Sequence, residues 1–243
     1  MYPAEFASVY DRLMDDVCYP GWASYYRKIA GLKAGDVACE CGCGTGSMTV
    51  EFHALGLTMT GVDLSEGMLR VAADKARQRG AQIAFIRQDM CALRLHRGVD
   101  AVLAPCDGVN YLLTDARVRA FFDGAYRALK PRGVLAFDVS TPGKLRRLTQ
   151  APCYEDREDI SYFWVSEADG PLVRMALTFF ARQGGGLYRR FDERQTQRAH
   201  TLPELIAALE AAGFADIRAY GDQTNEPATE SDERWHLVAH KPA

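Results

Sequence analysis

Between Asp36 and Val139 the chain repeats one unit, a short apolar run that reads as a strand followed by a stretch with helical spacing. Asp36 to Glu40, Thr58 to Val62, Ile83 to Ile86, Val99 to Ala104 and Val134 to Val139 are the strand-like runs. Ser47 to Ala54, Ser65 to Arg79 and Asp115 to Leu129 are the intervening helices, and Lys130-Pro131-Arg132-Gly133 reads as a turn. Strands separated by helices of this length are joined by crossovers rather than hairpins, which implies βαβ units and a parallel sheet. Two further strands, Phe214 to Tyr220 and Trp235 to His240, follow a helix over Leu202 to Ala212. Thr201 with Glu204 three residues on forms its capping box, and Gly213 stops it. The fold class is therefore α/β, a Rossmann-like seven-stranded, mostly parallel sheet with its last strand antiparallel and helices on both faces.

The flanks differ from this repeat. Phe6, Val9, Tyr10, Leu13 and Met14 share one helical face, Tyr19-Pro20-Gly21 breaks the pattern, and a second amphipathic stretch runs from Trp22 to Leu32. After Pro142 the helical period disappears. SYFWVSE, LVRMALTFFARQ and LYRRFDERQTQR alternate as three strands, with turns at Ala168-Asp169-Gly170-Pro171 and Gly184-Gly185-Gly186. Three parts follow: a helical cap over 1–35, a core over 36–142 and 200–243, and an antiparallel lid over 143–199. The polar stretch from Asp222 to Glu233 reads as a loop.

Hydrophobic residues make up 48% of the chain, enough for a sizeable core, and the net charge is −3. That balance offers no basic surface for phosphates, so nucleic acid is not an expected partner. Arg146-Arg147 and Arg189-Arg190 lie among acidic residues and read as solvated surface. No run of about 18 apolar residues occurs, so no membrane association is expected. The acidic start MYPAEFASVYDRLMDD lacks the features of a signal peptide. Seven cysteines, an odd number, argue against a disulfide framework and for a cytoplasmic location. Cys39, Cys41 and Cys43 have C-x-C-x-C spacing rather than the paired spacing of zinc sites, so no metal is expected.

The strongest chemical signal is Glu40-Cys41-Gly42-Cys43-Gly44-Thr45-Gly46, directly after the first strand of the repeat. Its glycines let the backbone turn tightly and touch a ligand, and the following helix offers free N–H groups. Ser47 stands where a dinucleotide fingerprint has its last glycine. Glu40 is poorly placed for a pyrophosphate but suits a ligand with an ammonium group, as in S-adenosylmethionine. Asp63 ends the next strand, where an acid holds ribose hydroxyls in either cofactor class. Its other role, a helix N-cap, is already filled by Ser65.

The order ECGCGTG, GVDLSEGMLRVA, RQDM and LKPRGVLAFD resembles the class I S-adenosylmethionine-dependent methyltransferases, from Asp36 to Val139. The resemblance implies that Glu40, Gly42, Cys43 and Gly44 hold the methionine part of S-adenosyl-L-methionine and Asp63 the ribose. It implies that Leu64 and Met68 line the adenine, that Asp89 meets its amino group with Met90 beside it, and that Pro105 and Cys106 face the methyl group. Arg132 stands where many relatives have a second glycine. FASVYDRLMDD, DGVNYLL and HTLPELIAALEAAGF resemble small bacterial small-molecule methyltransferases with an antiparallel lid, such as macrolide-sugar and glycine N-methyltransferases. In those relatives a tyrosine of the N-terminal helix lies near the methyl donor, which implies Tyr10; the same residue also fits the apolar face with Phe6 and Leu13.

The function expected is methyl transfer to N or O of a small molecule, with S-adenosyl-L-homocysteine as product and a monomer or homodimer as the assembly. The alternatives are a non-catalytic S-adenosylmethionine-binding regulator and an NAD(P)-dependent oxidoreductase. Methyl transfer from a sulfonium needs alignment and exclusion of water, and a base only when the acceptor is an alcohol or phenol. The expected acceptor-side residues are Tyr10, Asn110, Tyr111 and Arg198, with Asp107, Glu193, Gln195 and His200 as further candidates. Arg198 either binds an acceptor carboxylate or phosphate, or pairs with Glu193 or Asp192 along the lid. His200 is the one histidine of five placed near the site, with a capping or surface role as its other reading. Cys106 has no evident electropositive setting to make it a nucleophile.

Overall fold

The computed structural model describes residues 4–243; Met1 to Pro3, part of the acidic N-terminal stretch, lie outside the described residues. Helix α1 (Ala4–Leu13) and helix α2 (Tyr19–Ile29) precede the sheet. The expected break at Tyr19-Pro20-Gly21 is instead the first turn of α2. Pro20 sits where the helix needs no N–H, so it starts the helix rather than interrupting it.

The core runs β1 (Val37–Cys41), α3 (Ser47–Ala54), β2 (Thr58–Asp63), α4 (Glu66–Gln78), β3 (Ala84–Arg87), β4 (Val99–Ala104), α5 (Asp115–Ala128) and β5 (Leu129–Ser140). It closes with α7 (Leu202–Ala211), β10 (Ala215–Tyr220) and β11 (Arg234–His240). The sheet order is β10-β11-β5-β4-β1-β2-β3. Strand β11 lies between β5 and β10 and is antiparallel to both, while β1 to β5 pair in parallel. The expected turn over Lys130 to Gly133 is the start of β5. Arg132 lies at φ 64, a left-handed conformation that glycine takes without steric cost.

Alternate residues of β4 feed two apolar layers. Ala101 and Leu103 face α2 and α3 beside Tyr26, Met48 and Phe52. Val102 and Ala104 face α5 and α7 beside Phe121, Phe122, Leu205 and Leu209. A strand covered on both faces reads as a continuous apolar run, as Val99 to Ala104 does.

Residues after Ser140 form helix α6 (Pro142–Arg147) and a second, antiparallel sheet of β6 (Cys153–Asp156), β7 (Ile160–Asp169), β8 (Leu172–Arg182) and β9 (Tyr188–Arg198). Helix α6 and strand β6 were not anticipated. Four residues after a proline carry too little alternation to register as a strand. Thr141 caps α6 by accepting from the Lys144 N–H, and Arg147 pairs with exposed Glu233. The inner face of this sheet places Val173, Met175, Leu177, Phe179 and Ala181 against Phe6 and Val9 of α1. No helix among the described residues is long and apolar enough to cross a membrane.

Candidate active site

Strand β1 delivers Glu40 to the carboxyl edge of the sheet, where open α/β sheets bind ligands. The Glu40 side chain is buried and its Oε2 accepts from Thr49 Oγ1 at 2.5 Å. Burial pushes its carboxyl up to about 8, against the Thr49 hydrogen bond. At Gly44 (φ 53) a Cβ would meet nothing within 4 Å, whereas at Gly46 it would lie 2.8 Å from the Ala72 Cβ. The loop is thus open on one side and locked to α4 on the other. Asp63 Oδ2 accepts from the Gly44 N–H at 2.9 Å and Oδ1 from the Ser65 N–H at 2.8 Å. Burial raises the Asp63 carboxyl above its ordinary value, opposed by those backbone hydrogen bonds. Ser65 caps α4 by accepting from the Met68 N–H, as the sequence indicates.

An open cradle beside a buried acid that stands above its ordinary value fits a ligand with an ammonium group, because a cation there relieves the cost of ionising Glu40. Leu64 is exposed next to Asp63. Met68 is fully buried in the apolar cluster that contains Phe6 and Val9, so it supports the N-terminal helix. Met90 is partly buried against the α5 layer. The Asp89 carboxylate accepts from the Cys91 N–H at 2.9 Å and from Arg117 at 3.1 and 3.0 Å. Burial acts to raise it, but these donors hold it below the ordinary carboxylate range. Arg117 was not anticipated, since its pairing spans a helix and a loop with no shared period.

Helix α1 docks on the glycine loop through a residue that sequence reasoning missed. Asp11 accepts from Thr45 Oγ1 at 2.6 Å and pairs with Lys75 at 2.8 Å. This docking brings Tyr10 to the end of β4. Its phenol is raised by burial first and then by the neighbouring Cys106, Tyr19, Tyr111 and Asp107. Tyr10 also packs on the Phe6 ring at 5.6 Å, so it joins the apolar face while its phenol lies near Cys106 and Asp107.

Strand β4 ends at Ala104, and after buried Pro105 the chain turns through Cys106 (φ 60) and Asp107 (φ 52). Left-handed conformations at residues with side chains cost on the order of 1–3 kcal/mol each and concentrate at functional sites. Asp138, fully buried on β5, accepts from the Cys106 N–H at 2.8 Å, the Asp107 N–H at 3.0 Å, Tyr26 Oη at 2.6 Å and the Arg234 guanidinium. Burial opposes ionisation of Asp138, but Arg234, His236 and the hydrogen bonds win and hold its carboxyl low. Arg234 also reaches Asp107 Oδ1 at 3.2 Å and lies over the Trp22 ring at 5.1 Å. Lys144 is half-buried nearby, its ammonium lowered by burial first and then by Arg234. The Cys106 thiol is pushed well up by burial and by Asp138 and Asp107, which leaves it protonated and unsuited to nucleophilic attack. Asp138 ends the LKPRGVLAFD stretch, but the resemblance attaches no role to it, and Arg234 lies in no motif.

The lid meets this corner through alternate residues of β9. Gln197 Nε2 donates to Asp107 Oδ2 at 2.8 Å, and Tyr111 Oη donates to Gln195 Oε1 at 2.8 Å. Three expectations need correction. Asn110 is fully buried, and its amide is committed to backbone, accepting from the Ser140 N–H at 2.8 Å and donating to Ser140 O and Arg198 O. It ties β5 to β9 rather than facing an acceptor. Arg198 lies on the β9 face opposite Gln195 and Gln197. It pairs with Asp115 at 2.7 Å and Glu204 at 3.9 Å, beside a groove of about 240 Å³ between α5 and α7, not with Glu193 or Asp192. His200 is buried rather than a surface residue, with Nε2 3.1 Å from Val109 O.

Burial, with help from Arg198, lowers the His200 imidazole from 6.5 to about 4. The fold therefore rejects a proton that the unfolded chain accepts. The stability this residue gives is fully present above pH 6.5 and is lost as pH falls from 6.5 towards 4. Urea unfolding should weaken across that window, and His200→Gln should flatten the slope; an identical pH dependence in both proteins would contradict the assignment.

Comparison with known proteins agrees with this geometry. A family model described as a methyltransferase domain matches residues 38–133. A protein of Geobacillus sp. (strain WCH70), named as a methyltransferase with no acceptor specified, is 36% identical over 245 residues, covering 97% of this chain and 98% of its own. YqeM of Bacillus subtilis (strain 168), named in the same way, is 36% identical over 240 residues, with 97% and 96% covered. The structure of an S-adenosylmethionine-dependent methyltransferase from Clostridium acetobutylicum ATCC 824 matches with a TM-score of 0.89 at 26% identity, covering 98% of both chains. CalS10, an amino pentose methyltransferase from Micromonospora echinaspora solved with S-adenosylmethionine bound, shares the fold with a TM-score of 0.74 at 23% identity, over 99% of this chain and 98% of its own. With relatives this similar along the whole chain, and with an acid-flanked glycine loop at the carboxyl edge of a 3-2-1-4-5 parallel sheet, the protein belongs to the class I S-adenosylmethionine-dependent methyltransferases.

Proposed function

We propose that the protein methylates N or O of a small-molecule acceptor held between Tyr10, the segment Cys106 to Tyr111, and Gln195 and Gln197 of the lid. The observation that carries this reading is the pair of lid-to-core hydrogen bonds, Gln197 to Asp107 and Tyr111 to Gln195, which gather polar and aromatic side chains of lid and core at the end of β4. Small-molecule sites are built from a few convergent polar groups among apolar and aromatic ones. The parts divide accordingly into a cap over 1–35, a core over 36–142 and 200–243, and a lid over 143–199.

S-adenosylmethionine supplies a methyl group already activated on a sulfonium. Glu40, Gly42, Cys43 and Gly44 would hold its methionine part, and Asp63 its ribose. Leu64, Met68, Asp89 and Met90 would border the adenine, with Pro105 and Cys106 towards the methyl group. Tyr10 and Tyr111 exclude water and shape the acceptor space. Asp107 is the carboxylate placed to orient an acceptor N–H or O–H and to receive its proton. His200 and Cys106 take no part as bases, the first being tied to Val109 and the second held as a thiol.

The test is a panel of small amines, phenols, alcohols and carboxylic acids incubated with S-adenosylmethionine, read by release of S-adenosylhomocysteine. Turnover of an RNA or protein with none of the panel would reject the reading. A second measurement addresses the cofactor side. Asp63→Ala should weaken S-adenosylmethionine binding by about 1–3 kcal/mol, the scale of lost charged hydrogen bonds, when measured by calorimetry. An unchanged dissociation constant would remove Asp63 from the ribose position.

A further inference from the structure

Strand β4 leaves the sheet through consecutive left-handed residues that are not glycine, Cys106 and Asp107. Glycine adopts this conformation freely, whereas cysteine and aspartate resist it because of their Cβ atoms. The short 3₁₀ turn that follows, Gly108–Tyr111, has no side-chain cap at Asp107 to hold it. Support comes instead from the neighbouring strand. In the parallel β4–β5 register Ala104 stands opposite Phe137, so the next residue of β5, Asp138, lies beside the turn.

The two Asp138 oxygens divide the work. Oδ1 accepts the Cys106 N–H and the Tyr26 hydroxyl, and Oδ2 accepts the Asp107 N–H and Arg234. Arg234 then continues to the Asp107 carboxylate, whose other oxygen receives Gln197 of the lid. One buried carboxylate therefore fixes the backbone of Asp107 directly and its side chain through a guanidinium. Relaxation of the turn into an ordinary extended or helical conformation would swing the Asp107 carboxylate away from Gln197 and carry Tyr111 away from Gln195.

We propose that Asp138 is a positioning residue for methyl transfer, holding the Cys106–Asp107 corner left-handed and, with Arg234, aiming the Asp107 carboxylate at the acceptor. The inference rests on the acceptor site assigned above. Asp138 itself touches neither cofactor nor acceptor and acts only through its neighbour. Asparagine at this position offers one accepting oxygen where two are needed, and its NH2 group faces the Asp107 N–H or Arg234 as a donor against a donor.

The experiment compares the wild-type protein, Asp138→Asn, and Asp138→Asn with Cys106→Gly. Crystal structures with S-adenosylhomocysteine read the corner, calorimetry reads cofactor affinity, and turnover is read on the panel member that the wild type methylates. In Asp138→Asn the corner should leave the left-handed region, the Gln197–Asp107 bond should be lost, and turnover should fall about a hundredfold, as for a reacting group misplaced by ~1 Å. Cofactor affinity should stay unchanged. Adding Cys106→Gly removes the conformational resistance, so the left-handed corner and part of the turnover should return together, whereas a purely structural role would return stability without turnover. Should Asp138→Asn not fold, Tyr26→Phe removes a single donor from Oδ1 and should loosen the same corner with a several-fold loss of turnover. An Asp138→Asn structure that keeps both residues left-handed and Gln197 on Asp107, or full turnover in the variant that folds, overturns the inference. Failure of the wild type to bind S-adenosylmethionine would instead remove the cofactor reading beneath it.

Discussion

Arg234→Met should destabilise the fold by about 3–5 kcal/mol, the scale for breaking a buried ion pair by removal of one partner. The Arg234 side chain is about one-tenth exposed and Asp138 not at all, so neither charge can turn to water. Removing the guanidinium leaves Asp138 to bear the cost of burial with only His236 and hydrogen bonds against it, and it strips Asp107 of its second partner. Methionine has the length to cover the Trp22 face that the guanidinium now occupies, so lost packing contributes less than the orphaned charge. The sign with pH follows. In the wild type the folded Asp138 carboxyl lies below its ordinary value of 3.8, so the stability it contributes is present above about 3.8 and is lost as pH falls through the folded value. In Arg234→Met burial dominates, the carboxyl rises, and the variant should recover stability as pH falls from neutrality. Asp138→Asn in the Arg234→Met background should recover part of the loss, because no buried charge then remains at the centre of the network. Urea unfolding of the two single variants and the double variant measures this, and strict additivity would contradict the pairing.

The second large effect is at Glu40. Glu40→Gln should stabilise the cofactor-free protein at pH 8 and weaken S-adenosylmethionine binding by about 1.5–3 kcal/mol, the range for hydrogen bonds to charged groups. Burial pushes the folded carboxyl up to about 8 from 4.5, so the folded chain keeps a proton that the unfolded chain releases. As pH rises from 4.5 to about 8 this difference subtracts progressively from stability, and glutamine removes the subtraction. A bound ammonium reverses the preference by favouring the carboxylate, as Lys75 already does weakly from a distance. Cofactor binding below about pH 8 should therefore release a proton, and affinity should rise with pH until it levels near 8. Calorimetry in two buffers of different ionisation enthalpy reads the proton directly. Equal heats in both buffers at pH 7, or a Glu40→Gln protein with unaltered affinity, would place the ammonium elsewhere.

Local pattern was sufficient for the parallel core. Apolar runs such as Val99 to Ala104, helical spacing from Asp115, Ser65 as a cap and the glycine loop after Glu40 each state their structure within a few residues, because backbone hydrogen bonds and side-chain burial in βαβ units are set by short-range periods. The same periods failed where the pattern was short or carried no sign. Strand β6 has too few residues to show alternation. In β9, polar residues occupy both faces, so period two announced a strand without saying that Gln195 and Gln197, rather than Arg198, turn to the corner.

The chemistry of that corner belongs to long-range packing. Asp138 and Arg234 lie 96 positions apart and meet because β11 inserts antiparallel beside β5, with His236 opposite Asp138. Asp107 and Gln197 are 90 positions apart and meet because the lid sheet returns over the end of β4. Strand pairing and lid placement are fixed by burial summed over whole faces, and no single residue carries that sum. Short-range pattern was enough for a class I methyltransferase core with its acid-flanked loop. Which polar side chains share one buried carboxylate was decided by long-range packing, since a charge buried away from water must find its partners wherever the folded chain supplies them.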